Sequence, residues 1–353
     1  MSYFLKSGST FKVTSKEAMD LHEKLPAGNY IICKDQFENL FLEQIDNFIV
    51  PAKMYGDVLR HTERIVNTFN DRDVSTGIML SGEKGSGKTM LVKNVAIALA
   101  KQGVPTIVIN SPWSGDKFNK LLQDIEQPCM VLFDEFEKVY DRDQQEEILT
   151  LLDGVFGSKK LYALTCNDKW QVDIHMRNRP GRIFYLIDFK GLAIEFIVEY
   201  CNDNLREKKH IETICTISSL FSEFNFDMLT ALIEEMNRYN ESPQDALRIL
   251  NAKPEFDGTS NYTVSIIHNG ITIKNEHIYP STFKGNPMQT GLEVSFNKTP
   301  DKEDGDWTDI NFIPNQLVSV DAREGKFVFQ DHGTSIVLIR EKEQPYNYYS
   351  KVF

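Results

Sequence analysis

The sequence predicts a chain in three parts: an α/β domain built on a parallel sheet, a small all-helical unit, and an all-β domain. Three observations carry that reading. Short, continuously apolar runs alternate with helical stretches between residues 57 and 189, as strands buried on both faces do. A glycine-rich loop joins one of those strands to the helix after it. The periodicity then changes twice, to helical after Gly191 and to alternating after Pro254.

Residues 1–50 read as a small N-terminal α/β segment, with Thr10 to Thr14 extended, Ser15 to Lys24 helical and Gly28 to Cys33 a strand. Residues 51–189 form the α/β domain. A helix from about Asp57 to Asn70 puts Val58, Leu59, Ile65, Val66 and Phe69 roughly on one face. The strands are Gly77 to Leu80, Pro105 to Asn110, Cys129 to Phe133, Leu161 to Thr165 and Ile183 to Ile187, and Met90 to Ala100 is a helix. Residues 190–252 hold helices over Leu192 to Leu205, Phe226 to Arg238 and Ser242 to Leu250. Residues 255–353 open with a hairpin, Tyr262 to Ile267 and Ile271 to Lys274, around an Asn269-Gly270 turn. Further strands cover Gly291 to Phe296, Gln316 to Val320, Lys326 to Phe329 and Ser335 to Arg340, with an acidic loop from Pro300 to Asp306. A small barrel and a sandwich both satisfy this pattern.

The net charge of −12 over 353 residues excludes a protein that coats nucleic acid by bulk attraction, though a local basic groove stays open. No apolar run approaches the roughly 18 residues of a membrane span. The opening Met-Ser-Tyr-Phe-Leu-Lys lacks the apolar core of a signal peptide. Five cysteines without C-x-x-C spacing read as reduced thiols of a cytosol, so a cytoplasmic location is expected. The seven histidines form no ligand-spaced cluster that suggests zinc.

The chemistry concentrates in the α/β domain. Gly82 to Thr89 reads Gly-Glu-Lys-Gly-Ser-Gly-Lys-Thr between an apolar strand and a helix. This G-x-x-x-x-G-K-T loop, through Gly82, Glu83, Lys84, Gly85, Ser86, Gly87, Lys88, Thr89 and Met90, turns its backbone N–H groups toward phosphate oxygens. Lys88 reaches the β- and γ-phosphates, and the Thr89 hydroxyl ligates magnesium. The strand Cys129 to Phe133 ends in Asp134-Glu135. Asp134 is the expected metal-shell carboxylate, and Glu135 the residue that activates the attacking water. Asn167 follows the strand Leu161 to Thr165, on the edge where a parallel sheet gathers its strand ends. Met176-Arg-Asn-Arg-Pro-Gly-Arg182 then offers three arginines, as a basic surface turn or as a cation presented to a γ-phosphate.

Taken in order, these motifs resemble an AAA+ ATPase of the AAA clade proper. Gly82 to Thr89 matches its Walker A motif and Val131 to Glu135 its Walker B motif. Leu151-Leu-Asp-Gly154, Thr165-Cys-Asn167 and Asn178-Arg-Pro-Gly-Arg-Ile183 resemble its second region of homology, with sensor 1 and the arginine finger. The resemblance spans about Met54 to Leu250. It implies an α/β P-loop NTPase (AAA+) core with a parallel sheet, a helical lid, ATP and magnesium as cofactors, and a ring, usually a hexamer. Arg179 and Arg182 are then a finger pair acting on the neighbouring subunit's nucleotide. The chain is also similar to AAA ATPases carried by tailed bacteriophages, which would put it in a host cytoplasm.

Departures accompany the likeness. Ile183-Phe-Tyr185 stands where the family often has Phe-Asp-Arg. The family's pore loop is represented by Ser111-Pro-Trp-Ser-Gly115, so Trp113 and Gly115 are candidate pore residues, and Trp113 is equally a packing residue. Tyr55 and Gly56 resemble the segment that flanks adenine. Arg248 sits where other AAA+ clades carry a second sensor, or is an exposed helix residue. The expected activity is magnesium-dependent ATP hydrolysis by a homo-oligomer that remodels or translocates a macromolecule, protein before nucleic acid. The alternatives are a nucleic-acid motor or loader using the β domain, and a nucleotide-dependent assembly scaffold; Phe296, Trp307, Phe312, Phe327 and Phe329 of that domain read first as core and strand-face packing and second as a stacking platform.

Overall fold

A computed structural model describes the chain apart from residues 1, 8, 16–19, 21, 154–157, 190, 221–223, 251–260, 288–289, 299–304, 322–323 and 342–353. The chain divides into two units, Met1–Phe189 and Lys190–Phe353.

In the first unit, β1 (Ser2–Ser7) and β2 (Thr10–Ser15) form an antiparallel two-stranded sheet. There follow β3 (Asn29–Lys34), β4 (Leu40–Ile45), α1 (Val58–Asp71), β5 (Thr76–Gly82), α2 (Lys88–Ala100), β6 (Thr106–Ile109) and α3 (Gly115–Asp124). The unit continues with β7 (Cys129–Phe133), α4 (Phe136–Val139), α5 (Arg142–Leu152), β8 (Lys160–Cys166), α6 (Ile174–Arg177) and β9 (Tyr185–Phe189). A seven-stranded sheet has the order β4-β3-β6-β7-β8-β5-β9, and its neighbours are parallel except β3 with β4.

Why the strands lack polar alternation is visible in the packing. Ile78, Leu80, Met130 and Leu132 face a core built with Val66 and Phe69 of α1 and Leu91, Val95 and Leu99 of α2. Met79, Val131 and Phe133 face the other way, into a core with Phe118 and Leu122 of α3 and Ile148 and Leu151 of α5. Both strand faces are dry, so both must be apolar.

Residues 1–50 differ from the expected leader. β3 pairs in parallel with β6 and carries β4 with it, so residues 29–45 extend the α/β sheet. The Tyr30 and Ile32 side chains are buried there. The predicted helix over 15–24 is not found in its described residues: Ser15 ends β2, and Asp20, His22, Glu23 and Lys24 are non-helical. Residues 16–19 and 21 of that stretch lie outside the described residues.

In the second unit, α7 (Ile194–Asn204), α8 (Ile211–Leu220), α9 (Phe226–Tyr239) and α10 (Pro243–Ile249) share one core, with Ile197, Cys201, Ile214, Leu229, Leu232 and Ala246 fully buried. The Asn225 and Ser242 side chains cap α9 and α10, and Pro243 occupies the first helical position. The β region has β10 (Asn261–His268), β11 (Ile271–Ile273), β12 (Ile278–Tyr279), β13 (Thr282–Lys284), β14 (Leu292–Asn297), β15 (Trp307–Phe312), β16 (Leu317–Asp321), β17 (Lys326–Asp331) and β18 (Thr334–Arg340). One sheet has the order β11-β10-β18-β17-β16, with β13 also on β10; the other is β12-β14-β15. All the described pairings are antiparallel, and both sheets feed one core through Val264, Ile266, Val294, Phe296, Phe327 and Ile336. Of the two expected forms, this is the sandwich. The Asn269-Gly270 turn has both residues at positive φ, as a two-residue hairpin requires. The predicted acidic loop lies outside the described residues over 300–304.

Candidate active site

Because β5, β7 and β8 run parallel, their C-terminal ends reach the same sheet edge. There the loop after β5 meets Asp134, Glu135 and Asn167. Gly82 ends β5 at φ 142°, and a Cβ on it would overlap the Phe189 carbonyl of β9. Gly87, at φ 100°, opens α2 with no side chain over its first N–H groups. That leaves the helix N-terminus bare for an anion.

The Lys88 side chain is buried, and its Nζ donates to the Gly82 carbonyl, to the Glu83 carbonyl at 2.8 Å and to Asn167 Oδ1 at 3.2 Å. Burial pushes the ammonium's pKa down, against the pull of Cys166, Glu137, Asp134 and Glu135. A buried ammonium over a cradle of main-chain N–H groups fits a phosphate. So does the buried Ser86 hydroxyl, whose Oγ has no hydrogen-bond partner. Glu83, Lys84 and Thr89 are exposed, and Gly85 and Met90 half-buried. Asn94 of α2 donates to the Met90 carbonyl at 3.0 Å and lies 3.5 Å from Met54 Sδ, which brings the Tyr55–Gly56 segment beside this helix. Tyr55 is half-buried with the Lys53 ammonium 4.8 Å from its ring centre, and Gly56 is exposed at φ 63°.

Asp134 and Glu135 are held by one hydroxyl. Thr165 Oγ1 donates to Asp134 Oδ1 at 2.5 Å and accepts the Glu135 N–H at 2.9 Å. Glu135 takes the left-handed conformation, φ 48° and ψ 48°, an uncommon one for a side chain branching only beyond Cβ and a mark of functional sites. Its carboxylate accepts from Lys138 Nζ at 2.7 Å. That contact, with help from the Asn167 amide, holds its pKa below the usual carboxylate range. Asn167 therefore bonds Lys88 and favours the charged form of Glu135. Among the described residues no three His, Cys, Asp or Glu side chains gather as a metal site. Thr89 and Asp134 are the oxygen donors this chain would offer a magnesium ion, which takes its remaining ligands from phosphates and water and there neutralises phosphate charge.

The two finger candidates part company. Arg182 is buried: its guanidinium grips Asp153 through Nε and through Nη2 at 2.6 Å, and Nη1 donates to the His175 carbonyl at 2.9 Å. All three of its guanidinium nitrogens are bound within its own chain, so Arg182 clamps the turn. Arg179 is exposed, at the start of the turn that Arg182 closes by donating its N–H to the Arg179 carbonyl. The turn sits against β5: Phe184 N–H donates to the Gly77 carbonyl at 2.7 Å, and a Cβ on residue 77 would overlap the Arg182 carbonyl.

The remaining candidates fall on the alternative readings the sequence offered. Trp113 packs half-buried against the α/β core, with its carbonyl bound by Tyr140 Oη at 2.9 Å, which is the packing reading and not an aromatic held out into a pore. Gly115, at φ 81°, starts α3. Arg248 is exposed and pairs with Asp245 at 3.3 Å. Phe296, Phe312, Phe327 and Phe329 are core residues of the sandwich, and Trp307 alone of the five aromatics is exposed.

Sequence reasoning missed Glu137, Lys138 and Asp153 as members of this network, and it read Thr165 only as part of a motif. Their partners lie 29 to 31 residues away, apart from Glu135 with Lys138. The i,i+3 spacing of Glu135 and Lys138 on a short helix was the one signal available.

Residues 78–190 match the model of the AAA family, the ATPase family associated with various cellular activities. The matched segment is about a third of the chain and runs from β5 to the end of β9. It holds Lys88, Asp134, Glu135, Thr165, Asn167, Arg179 and Arg182, so the matched segment contains the whole sheet-edge network. Tyr55, Gly56 and Arg248 lie outside it. Among solved structures the chain is similar to the FIGL-1 AAA domain in complex with ADP, at 19% identity over 60% of this chain and 82% of that one, with a TM-score of 0.41. It is also similar to a chain of the E. coli MS115-1 HORMA:CdnC:Trip13 complex, at 13% identity over 57% of this chain and 90% of that one, with a TM-score of 0.43. Comparison with curated proteins found no match. Among the described residues no helix is long and apolar enough to cross a membrane.

Proposed function

We propose that this chain hydrolyses magnesium-bound ATP as an oligomer in which Arg179 of one subunit completes the site of the next. The observation that carries the reading is the network in which Thr165 and Asn167 tie Asp134, Glu135 and Lys88 together beside the phosphate loop. In that network Lys88 and the loop N–H groups bind the β- and γ-phosphates. Thr89 and Asp134 hold the metal. Glu135, an ionised carboxylate, takes the proton of the attacking water at Oε, and Asn167 orients the participants. Most of the acceleration comes from positioning and charge neutralisation, which these fixed donors supply without rearrangement. Arg179 adds a further cation from the neighbouring subunit, so hydrolysis depends on assembly into a ring.

The test is ATPase rate per chain against protein concentration, for the native chain and for Arg179→Ala. A rate that climbs with concentration and collapses in the variant, with ATP binding kept, is expected. A flat rate, or a variant that hydrolyses normally, rejects the shared site.

For the output of the cycle we propose remodelling of a protein. The acidic net charge and the burial of the sandwich phenylalanines speak against a nucleic-acid platform. A second reading, a scaffold whose ATP-gated assembly is itself the output, draws support from Trp113, which is packed where a pore grip would need it free. Stimulation of the ATPase by a permanently unfolded polypeptide supports the remodeller; ATP-dependent assembly with no such stimulation supports the scaffold.

A further inference from the structure

Glu137 is a carboxylate at the site to which none of the roles above falls. It lies on α4, two residues beyond Glu135. Its Oε1 accepts the Asn167 backbone N–H at 2.9 Å, and its Oε2 is buried without a hydrogen-bond partner. Leaving a carboxylate oxygen buried and unmatched costs free energy, so the placement calls for a compensating role. Asn167 shows what that role is. It stands one residue past the last ladder pair of β8, Ser81 with Cys166, so its N–H has no strand partner and Glu137 supplies the acceptor. Its side chain meanwhile accepts from Lys88 at 3.2 Å, and its amide favours the ionised form of Glu135. Glu137 is also among the groups whose charge favours the protonated form of Lys88.

We propose that Glu137 is the positioning residue of this site: by holding the Asn167 backbone beyond the end of β8, it fixes how the Asn167 amide meets Lys88 and Glu135. The proposal rests on the ATPase reading above and identifies how that site is kept in register.

The experiment measures kcat and KM for ATP, ADP affinity by calorimetry, and hydrogen exchange at the Asn167 amide. The proteins are the native chain, Glu137→Ala, Glu137→Gln, Asn167→Ala and the Glu137→Ala, Asn167→Ala double variant. Glu137→Ala is expected to lower kcat about 10- to 100-fold with ADP affinity kept within about threefold, since the interaction serves the transition state. Glu137→Gln retains an acceptor oxygen and is expected within about threefold of native kcat, with the Asn167 amide still protected from exchange. The double variant is expected to be no slower than Asn167→Ala, because one residue acts through the other.

Native kcat in Glu137→Ala overturns the proposal. So do losses that multiply in the double variant, or a Glu137→Gln as slow as Asn167→Ala. If Glu137→Ala does not fold, Glu137→Met keeps the volume without the acceptor and faces the same expectations. A native chain that neither binds ADP nor hydrolyses ATP sinks the ATPase reading and this proposal together, whereas native turnover unmoved by the variants sinks this proposal alone.

Discussion

At the edge of the seven-stranded sheet, Lys88, Asp134, Glu135, Thr165 and Asn167 share one hydrogen-bond network, whereas in the C-terminal sandwich Phe296, Phe312, Phe327 and Phe329 fill one apolar core. The sheets are alike in apolar burial and differ in what their strand ends carry. The first region keeps an ammonium buried and leaves Ser86 Oγ and Glu137 Oε2 without partners, arrangements that a fold selected for stability alone would replace with carbon. The second puts its aromatic rings where they stabilise and shows a sparse outer face of Tyr279 and Trp307 with a Ser295–Asp309 hydrogen bond at 2.6 Å. Unpartnered buried polar atoms occur in both regions, Arg340 Nε in the sandwich among them, but at the first sheet's edge they lie with a buried ammonium and paired carboxylates.

That contrast breaks most visibly at Arg179. Arg179→Ala is expected to cost about 10³-fold in ATPase rate with the thermal transition unmoved, because the side chain is exposed and its task lies outside its own fold. Lys88→Met is expected to cost about 10²- to 10³-fold in rate and most of the nucleotide affinity, while the melting temperature holds or rises, since a buried charge is replaced by an apolar chain. Either variant melting early says that the residue serves the fold. On the other side, Phe327→Ala is expected to destabilise the sandwich by about 3–5 kcal/mol in a denaturant titration and leave nucleotide affinity at the native value. A nucleotide site weakened by that change means the two regions are energetically coupled.

Smaller effects sharpen the distinction within the finger turn. Arg182→Met is expected to destabilise by about 1–2 kcal/mol, since it removes the buried guanidinium that ties the turn to Asp153, whose carboxylate is exposed to water. The same pair sets an acid limb. The Arg182 guanidinium holds the Asp153 carboxyl below its ordinary range, so the unfolded chain binds more protons in acid. The stability from the pair is complete above about pH 4 and is lost as pH falls through the lower folded value. Chemical denaturation at a series of acidic pH values should show that limb in the native chain and a shallower one in Arg182→Met. An unchanged limb assigns the acid sensitivity to other carboxylates.

Much of this was legible beforehand, for physical reasons. Runs such as Ile78 to Leu80 and Met130 to Phe133 have dry surroundings on both faces, so their composition alone marks them as buried strands. The phosphate loop is a local motif and was read whole. What escaped depends on distant partners or weak propensity. β3 joins the sheet because β6 offers it an edge some 75 residues later, which no local pattern records. α8 carries Ile211, Thr213, Ile214, Thr216 and Ile217, β-branched residues that favour helix poorly, and it forms because its apolar face has a core to cover. β15 alternates Trp, Thr, Asp, Ile, Asn and Phe, and with Trp307, Asp309 and Asn311 on its outer face it lacks the β-branched run that marks a strand. Glu137 was hidden in plain view beside the stronger Asp134-Glu135 signal, and the clamp between Arg182 and Asp153 exists only once the chain is folded.

The contact at Gly77 has a consequence for genetics. The strand that delivers the chain into the phosphate loop carries, at its second position, a residue too close to the Arg182 carbonyl to bear even a methyl group. Replacing it leaves every residue of the loop and of the finger turn intact in the sequence, yet the turn must shift. On the shared-site reading proposed above, an allele at codon 77 is expected to behave like an Arg179 allele, failing to support its neighbours while still occupying its own place among them. Its suppressors should map to the 179–184 turn, not to the loop that its own strand supplies.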